Sequence, residues 1–154
     1  MSDNKPVILF VDDEGNNLNS FKAAFRRDFD IHLASSPNEG RKILAENPIE
    51  VIITDQRMPL ETGVEFLESI IPVFPEVMRI LLTGYADIQA VIDAVNKGKI
   101  YHYVSKPWDE TQLRSLINNA TEIYRLRQQN MQLTKDLLKV NDQLEFLLRQ
   151  NLLS

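Results

Sequence analysis

The sequence predicts an α/β domain: a five-stranded parallel sheet, doubly wound with helices on both faces, followed by an extended C-terminal helix. Three observations predict it. Five short apolar runs alternate with stretches whose apolar residues recur at helical spacing, the arrangement of parallel strands joined by crossover helices. The runs are mostly continuous rather than alternating, as strands buried on both faces are. From Asp109 onward the chain has neither Gly nor Pro, so nothing interrupts a final helix.

The first run, Val7 to Val11, is closed by Asp12 and Asp13. Asn17 to Phe29 then places Leu18, Phe21, Phe25 and Phe29 at helical spacing. Ile31 to Ala34 is a short second strand, and Ser36-Pro37 opens a helix to about Glu46, with Pro at a favoured first position. Val51 to Thr54 is the third strand and ends in Asp55. Met58-Pro59 and Thr62-Gly63 mark a loop before the stripe Phe66, Leu67, Ile70 and Ile71. Met78 to Leu82 is the fourth strand, ending in Thr83-Gly84; a helix over Ile88 to Val95 stops at Lys97-Gly98. Tyr101 to Val104 is the fifth strand, ending in Ser105-Lys106-Pro107. Asp109 is placed to cap the last helix, from Thr111 to near Leu153.

That helix changes character along its length. Leu113, Leu116, Ile117 and Ala120 suit packing on a sheet. From Ile123 a heptad register appears, with Ile123, Asn130, Leu137, Leu144 and Asn151 at a and Leu126, Leu133, Val140 and Leu147 at d. Such a seam is the mark of a coiled coil, and Asn130 at an a position favours a two-stranded pair in register. In a parallel homodimer through residues 123–154, Glu122 at g faces Arg127 at e of the partner. The alternative is a long surface helix folded back on its own domain. Phe146, Leu148, Leu152 and Leu153 lie off the seam and leave an apolar helix end, which points to a further partner or domain.

The 154 residues suffice for one domain, here 1–122, with 123–154 as a dimerisation or linker helix. A hydrophobic fraction of 44% and a charged fraction of 25% support an ordinary buried core. The net charge of −5 argues against nucleic acid as a partner, since phosphate backbones need clustered Lys and Arg. The chain has no Cys, which excludes disulfides and thiolate metal sites and fits a cytoplasmic setting. The polar start and the brevity of the Val7–Val11 run argue against a signal segment or a membrane span.

Ligands of doubly wound sheets bind beyond the carboxyl ends of the strands. Those ends carry Asp12 and Asp13, Asp55, Thr83 and Lys106. Three carboxylates brought together repel one another, and a divalent cation relieves that; an all-oxygen set suits Mg²⁺. Lys106 offers a compact positive charge for a phosphate oxygen, and Thr83 a hydroxyl. Asp55 is then a carboxylate nucleophile of the aspartyl-phosphate kind. Each part alone is more often a cap, a turn or a loop; together they fall at four strand ends in order.

The segments FVDDE, IITDQRMP, LLTGYAD and YVSKPW resemble the motifs of CheY-like receiver domains of two-component response regulators, over about residues 6–122. The resemblance implies the flavodoxin-like fold, with Asp55 as phosphoacceptor. It implies Mg²⁺ held by Asp13, Asp55 and the backbone carbonyl of Arg57, with Asp12 acting through water. Thr83 and Lys106 then contact the phosphoryl oxygens, Thr83 and Tyr103 form the switch pair, and the Lys106–Pro107 bond is cis. Arg57 and Tyr85 stand where the family tunes dephosphorylation, or are plain exposed loop residues. Trp108 packs at the start of the last helix, and KPW before a long helix is similar to receivers fused to HD-type phosphohydrolase, diguanylate cyclase or transcriptional outputs. His32 and His102 read as ordinary residues.

The implied partners are a sensor histidine kinase or phosphotransfer protein, a second copy, and an output domain or partner downstream. The chain is not expected to be an enzyme beyond its own phosphorylation and dephosphorylation. One alternative is an adaptor whose coiled coil is the main functional element. Another is an aspartyl phosphatase of the haloacid dehalogenase class, whose Asp-x-Asp arrangement is here Asp12-Asp13-Glu14 without room for a cap.

Overall fold

The computed structural model describes residues 4–153, short of the side chain of Leu153. The strands are β1 (Val7–Val11), β2 (Asp30–Ala34), β3 (Val51–Asp55), β4 (Met78–Thr83) and β5 (His102–Ser105). The helices are α1 (Gly15–Phe25), α2 (Pro37–Glu46), α3 (Gly63–Ile70), α4 (Ile88–Asn96) and α5 (Glu110–Leu153), with a single 3₁₀ turn at Tyr85–Asp87. The sheet order is β2-β1-β3-β4-β5, every pairing parallel. The chain reverses its direction of winding between β1 and β3, the switch point where such sheets bind ligands.

The continuous apolar runs are explained by two cores. Leu9, Val11, Ile52 and Leu81 point to one face, against Phe66, Leu67 and Ile70 of α3 and Val91 and Ala94 of α4. Ile8, Phe10, Ile53 and Leu82 point to the other, against Phe21 and Phe25 of α1 and Leu113, Ile117 and Ala120 of α5. Successive strand residues face opposite ways, so both sets must be apolar.

Three element limits depart from the sequence reading. Helix α1 starts at Gly15 and stops at Phe25, before Phe29. Phe29 keeps the helical apolar spacing because its ring packs on Phe25 at 5.7 Å from the turn that follows. Tyr101 precedes β5 rather than opening it; its N–H is given to the carbonyl of Arg79. Thr62 is not merely loop: it caps α3 in a capping box with Glu65.

The long last helix is present. Asp109 accepts from the N–H of Gln112 at 2.9 Å, as a cap residue does, and Trp108 packs on Phe25 with ring centroids 5.5 Å apart. At 44 residues the helix is about 66 Å long. Ile123 and Tyr124 still pack on the second core, and Arg125 pairs with Glu50. Beyond Gln128 every residue through Leu152 is exposed, so the helix runs free of the domain rather than folding back on it. No helix among the described residues is long and apolar enough to cross a membrane.

Candidate functional site

The crevice above β1 and β3 is built by backbone geometry before any side chain acts. The N–H of Gln56 bonds the carbonyl of Leu82, and the N–H of Lys106 bonds that of Thr83. These two bonds hold the ends of β3, β4 and β5 side by side. Gln56 also accepts from two successive amides of α3, Gly63 N–H at its backbone oxygen and Val64 N–H at its side-chain oxygen. A Cβ on Gly63 would stand 2.3 Å from the carbonyl oxygen of Asp55. Only glycine lets α3 start that close to the strand end.

Asp12, Asp13 and Asp55 each bring a carboxylate oxygen within 4.8 Å of the others. Asp12 and Asp55 are buried and Asp13 is exposed, so the cluster is open on one side. Asp12 accepts from the N–H of Glu14 at 2.9 Å and from Asn17 Nδ2 at 3.1 Å. Burial pushes its pKa up, and the neighbouring Asp55 charge adds to this. The Glu14 amide, Asn17 and Lys106 pull the other way without cancelling it. A cation among the three would reverse that bias, because opposite charge favours the ionised form.

Lys106 Nζ lies in ion-pair contact with Asp55 Oδ1. That contact lacks the alignment of a hydrogen bond, which leaves the buried Oδ1 with no proper donor. Thr83 is fully buried, and its hydroxyl donates to the Gly84 carbonyl at 3.2 Å, a bond easily exchanged for a better acceptor. Tyr103 stands apart from the carboxylates, half-buried against the core on the α4 side of the sheet. The Lys106–Pro107 bond is cis, as the family resemblance implies.

A cavity of about 260 Å³ opens beside Asp55 and Lys106 and is lined also by Arg57, Tyr85 and Asp87. Arg57 Nε donates to Asp87 Oδ2 at 2.9 Å across its mouth, while Tyr85 is 92% exposed. His32 on β2 and the exposed His102 line neither this cavity nor the acidic cluster.

The structure thus brings together Asp12, Asp13, Asp55 and Lys106, and sets Thr83 at the adjoining strand end. Sequence reasoning missed Asn17, Gln56 and Asp87. Asn17 reads in the sequence only as a helix start, and Gln56 and Asp87 carry no signal until β3, α3 and the 3₁₀ turn are placed. The donor set fits a hard divalent cation: all oxygen, acidic and part solvated, with one buried carboxylate oxygen lacking an aligned donor.

Residues 8–118 match the family described as the response regulator receiver domain. The hydrogenase transcriptional regulatory protein HoxA of Cupriavidus necator is 38% identical over 122 residues, covering 79% of this chain and 25% of that protein. A response regulator receiver domain protein of Clostridium thermocellum superposes with a TM-score of 0.74 at 35% identity, covering 79% of this chain and 98% of that one. The structure of an adenylate cyclase from Rhodopirellula baltica gives a TM-score of 0.82 at 30% identity, covering 85% of this chain and 98% of that one. The chain spans about a quarter of the length of the curated relatives it matches.

Proposed function

The chain belongs to the response regulator receiver family, and from that premise we propose that Asp55 accepts a phosphoryl group in the pocket it shares with Asp12, Asp13 and Lys106. The observation that carries this reading is the juxtaposition itself: three carboxylates within 4.8 Å of one another, with a lysine ammonium against the buried oxygen of one of them.

An Asp55 carboxylate oxygen attacks the phosphorus of a phosphohistidine on a sensor kinase or phosphotransfer protein. The new O–P bond forms as the P–N bond breaks, and the departing imidazole keeps the electron pair and takes a proton from solvent. Lys106 remains charged throughout and neutralises the equatorial oxygens, the kind of fixed electrostatic help on which phosphoryl transfer depends. The Thr83 hydroxyl leaves the Gly84 carbonyl for a phosphoryl oxygen, and Tyr103 follows into the space behind it. Hydrolysis reverses the state: water attacks phosphorus, the Asp55–O–P bond breaks, and phosphate leaves. Asp13, Asp55 and the Arg57 carbonyl, with Asp12 through water, would hold Mg²⁺, which supplies further neutralisation of the transferring group.

The signal leaves through α5. We assign residues 1–122 to the receiver and 123–154 to a parallel two-stranded coiled coil with a second copy. The exposed seam residues Leu126, Leu133, Leu137, Val140, Leu144 and Leu147 support this, since each is at least half exposed in the single chain. An output domain or partner downstream of the helix is the natural recipient. On this reading the chain is a cytoplasmic switch and not an enzyme acting on other substrates.

The test is incubation with a small phosphodonor and Mg²⁺, followed by intact mass. Native protein gains one phosphoryl group and Asp55→Asn gains none; equal labelling of the two would refute the assignment.

A further inference from the structure

Two apolar features of the chain lie outside both the receiver core and the a/d seam. The first is a stripe on α5: Met131, Leu138 and Leu152 at b, with Leu148 at e, are all exposed. The same positions nearer the domain hold Ile117, Ala120 and Tyr124, which pack on the sheet. The stripe is therefore the sheet-facing side of α5 continued past the domain, and it lies about 100° round the helix from the a/d seam. A two-stranded coil buries a and d, so it leaves the b positions outside. The second feature is a cavity of about 310 Å³ at the base of the receiver, lined in part by Val73, Phe74, Pro75, Tyr124 and Gln128. It opens where α5 leaves the domain, directly above the start of the stripe.

We propose that the stripe joins two parallel pairs of α5 into an antiparallel four-helix bundle, which brings the helix end of one copy under the receiver base of another. This rests on the two-stranded pairing proposed above. Charge fixes the direction. The stripe is flanked by the f positions Gln128, Lys135, Asp142 and Arg149. Antiparallel packing on b and e sets f against f, whereas parallel packing sets f against a. In the antiparallel pair Lys135 faces Asp142 of the second copy, and the two-fold axis repeats the contact; in the parallel pair Lys135 faces only uncharged a residues. Both side chains are exposed and unpaired among the described residues. Length agrees with charge. The register that opposes Lys135 and Asp142 centres between Leu138 and Lys139, close to the middle of the stretch that is exposed from beyond Gln128 to Leu152. The two free helices then overlap almost end to end, Leu148 meets Met131 of the second copy, and Leu152 reaches the Tyr124–Gln128 turn beside the base cavity. Leu137 and Leu144, at a, lie between seam and stripe and fall at the centre of the bundle. Arg127, Thr134, Asn141 and Glu145 make the stripe sparser than the seam, so it joins helices already paired rather than single ones.

The experiment is sedimentation equilibrium of the full chain over a concentration series, joined to disulfide trapping, for which a chain without Cys is suited. Native protein should reach the mass of four chains. Met131→Gln with Leu138→Gln should halve that mass at unchanged helix content in circular dichroism. Lys135→Asp should halve it too, and Lys135→Asp with Asp142→Lys should restore it, a rescue that a loss of helix stability would not give. Met131→Cys and Leu148→Cys chains, mixed under reducing conditions and then oxidised, should form the mixed disulfide in preference to either homodisulfide. A native mass of two chains at every concentration, variants that keep the native mass, or Met131→Cys linking mainly to itself overturns the bundle. The pairing beneath it is judged separately through Leu133→Cys, at d and away from the stripe, which should link to itself across the parallel seam. A link at Leu133 in a protein that never exceeds two chains sinks only the bundle; no link at Leu133 sinks the parallel pairing itself.

Discussion

Substituting Gly63 by Ala tests how Asp55, the proposed acceptor, is held. The added Cβ would stand 2.3 Å from the Asp55 carbonyl oxygen and 2.7 Å from Leu81 Cδ1. The leucine tip can yield, but the carbonyl belongs to the strand end, so α3 must retreat. Retreat stretches the bond from Gly63 N–H to the Gln56 carbonyl, 2.9 Å in the native chain. Overpacking of this kind costs about 1–3 kcal/mol, and the weakened hydrogen bond about 1 kcal/mol more. Reduced freedom of the unfolded chain returns up to about 1 kcal/mol. The expected net loss is about 2 kcal/mol, read as a lower urea midpoint at unchanged slope. Gly15 is the control, since nothing lies within 4 Å of a Cβ built there; Gly15→Ala should match or slightly exceed native stability. Because the clash is with the residue that bears the acceptor, Gly63→Ala should also slow labelling of Asp55 by a phosphodonor under conditions where the variant is fully folded. A Gly63→Ala protein as stable as Gly15→Ala and labelled at the native rate would refute the argument that this contact positions the site.

Three further outcomes are expected. The capping box at α3 holds the Glu65 carboxyl below the usual glutamate range, chiefly through the Thr62 backbone N–H. A lowered folded value means that its stabilisation is present above the unfolded pKa and lost as pH falls through the folded one. An NMR titration should place Glu65 below the usual glutamate range, and Thr62→Ala should bring it closer to that range. Arg125 grips the buried Glu50 with Nε at 2.7 Å and Nη2 at 3.1 Å, while Val7 N–H donates to the same carboxylate; Arg125→Met should cost about 1–2 kcal/mol in chemical denaturation, after discount for the solvent reaching the arginine. Replacing Leu133, Leu137 and Val140 together by Ser should abolish association in sedimentation analysis without lowering the receiver's own unfolding midpoint, because all three are at least half exposed in the single chain.

The sheet was legible because its strands are buried on both faces. Val51–Asp55 is wholly buried, and residues such as Ile52 and Ile53 pack into opposite cores. The strand-end residues were legible because the topology carries each to the same rim. Legibility failed where tertiary packing mimics helical spacing. Phe29 continues the periodicity of α1 only through the packing of its tilted ring on Phe25. It failed also where a side chain acts across two loops. The Thr62–Glu65 box was readable as Thr-x-x-Glu before an apolar stripe, whereas nothing in the sequence pairs Arg57 with Asp87, thirty residues apart. The positive φ of 72° at Leu60 was equally invisible, since a leucine gives no sign of the left-handed turn that glycine announces.

The seam and the sheet-facing stripe of α5 lie on different sides of the helix. At 3.6 residues per turn, Leu126 is about 120° round from Ala120 and about 180° from Ile117, and Ala120 and Ile117 are fully buried against the sheet. Leu126 is accordingly 57% exposed, although Arg125 before it is tied to Glu50. A partner helix can therefore occupy the seam without displacing the domain, and it lies on the outer side of α5. Ile123, the first a residue of the register, is already claimed by the receiver's core, so the free seam begins at Leu126. Between the two there is no Gly, no Pro and no break in the hydrogen-bonded ladder. A roll or shift of α5 on the sheet must then appear at Leu126 as a change in seam direction, because a continuous helix has nowhere to absorb it. Three glycines inserted after Gln128 would supply such a place: phosphorylation of Asp55 should persist, while any dependence of dimer geometry on it should vanish.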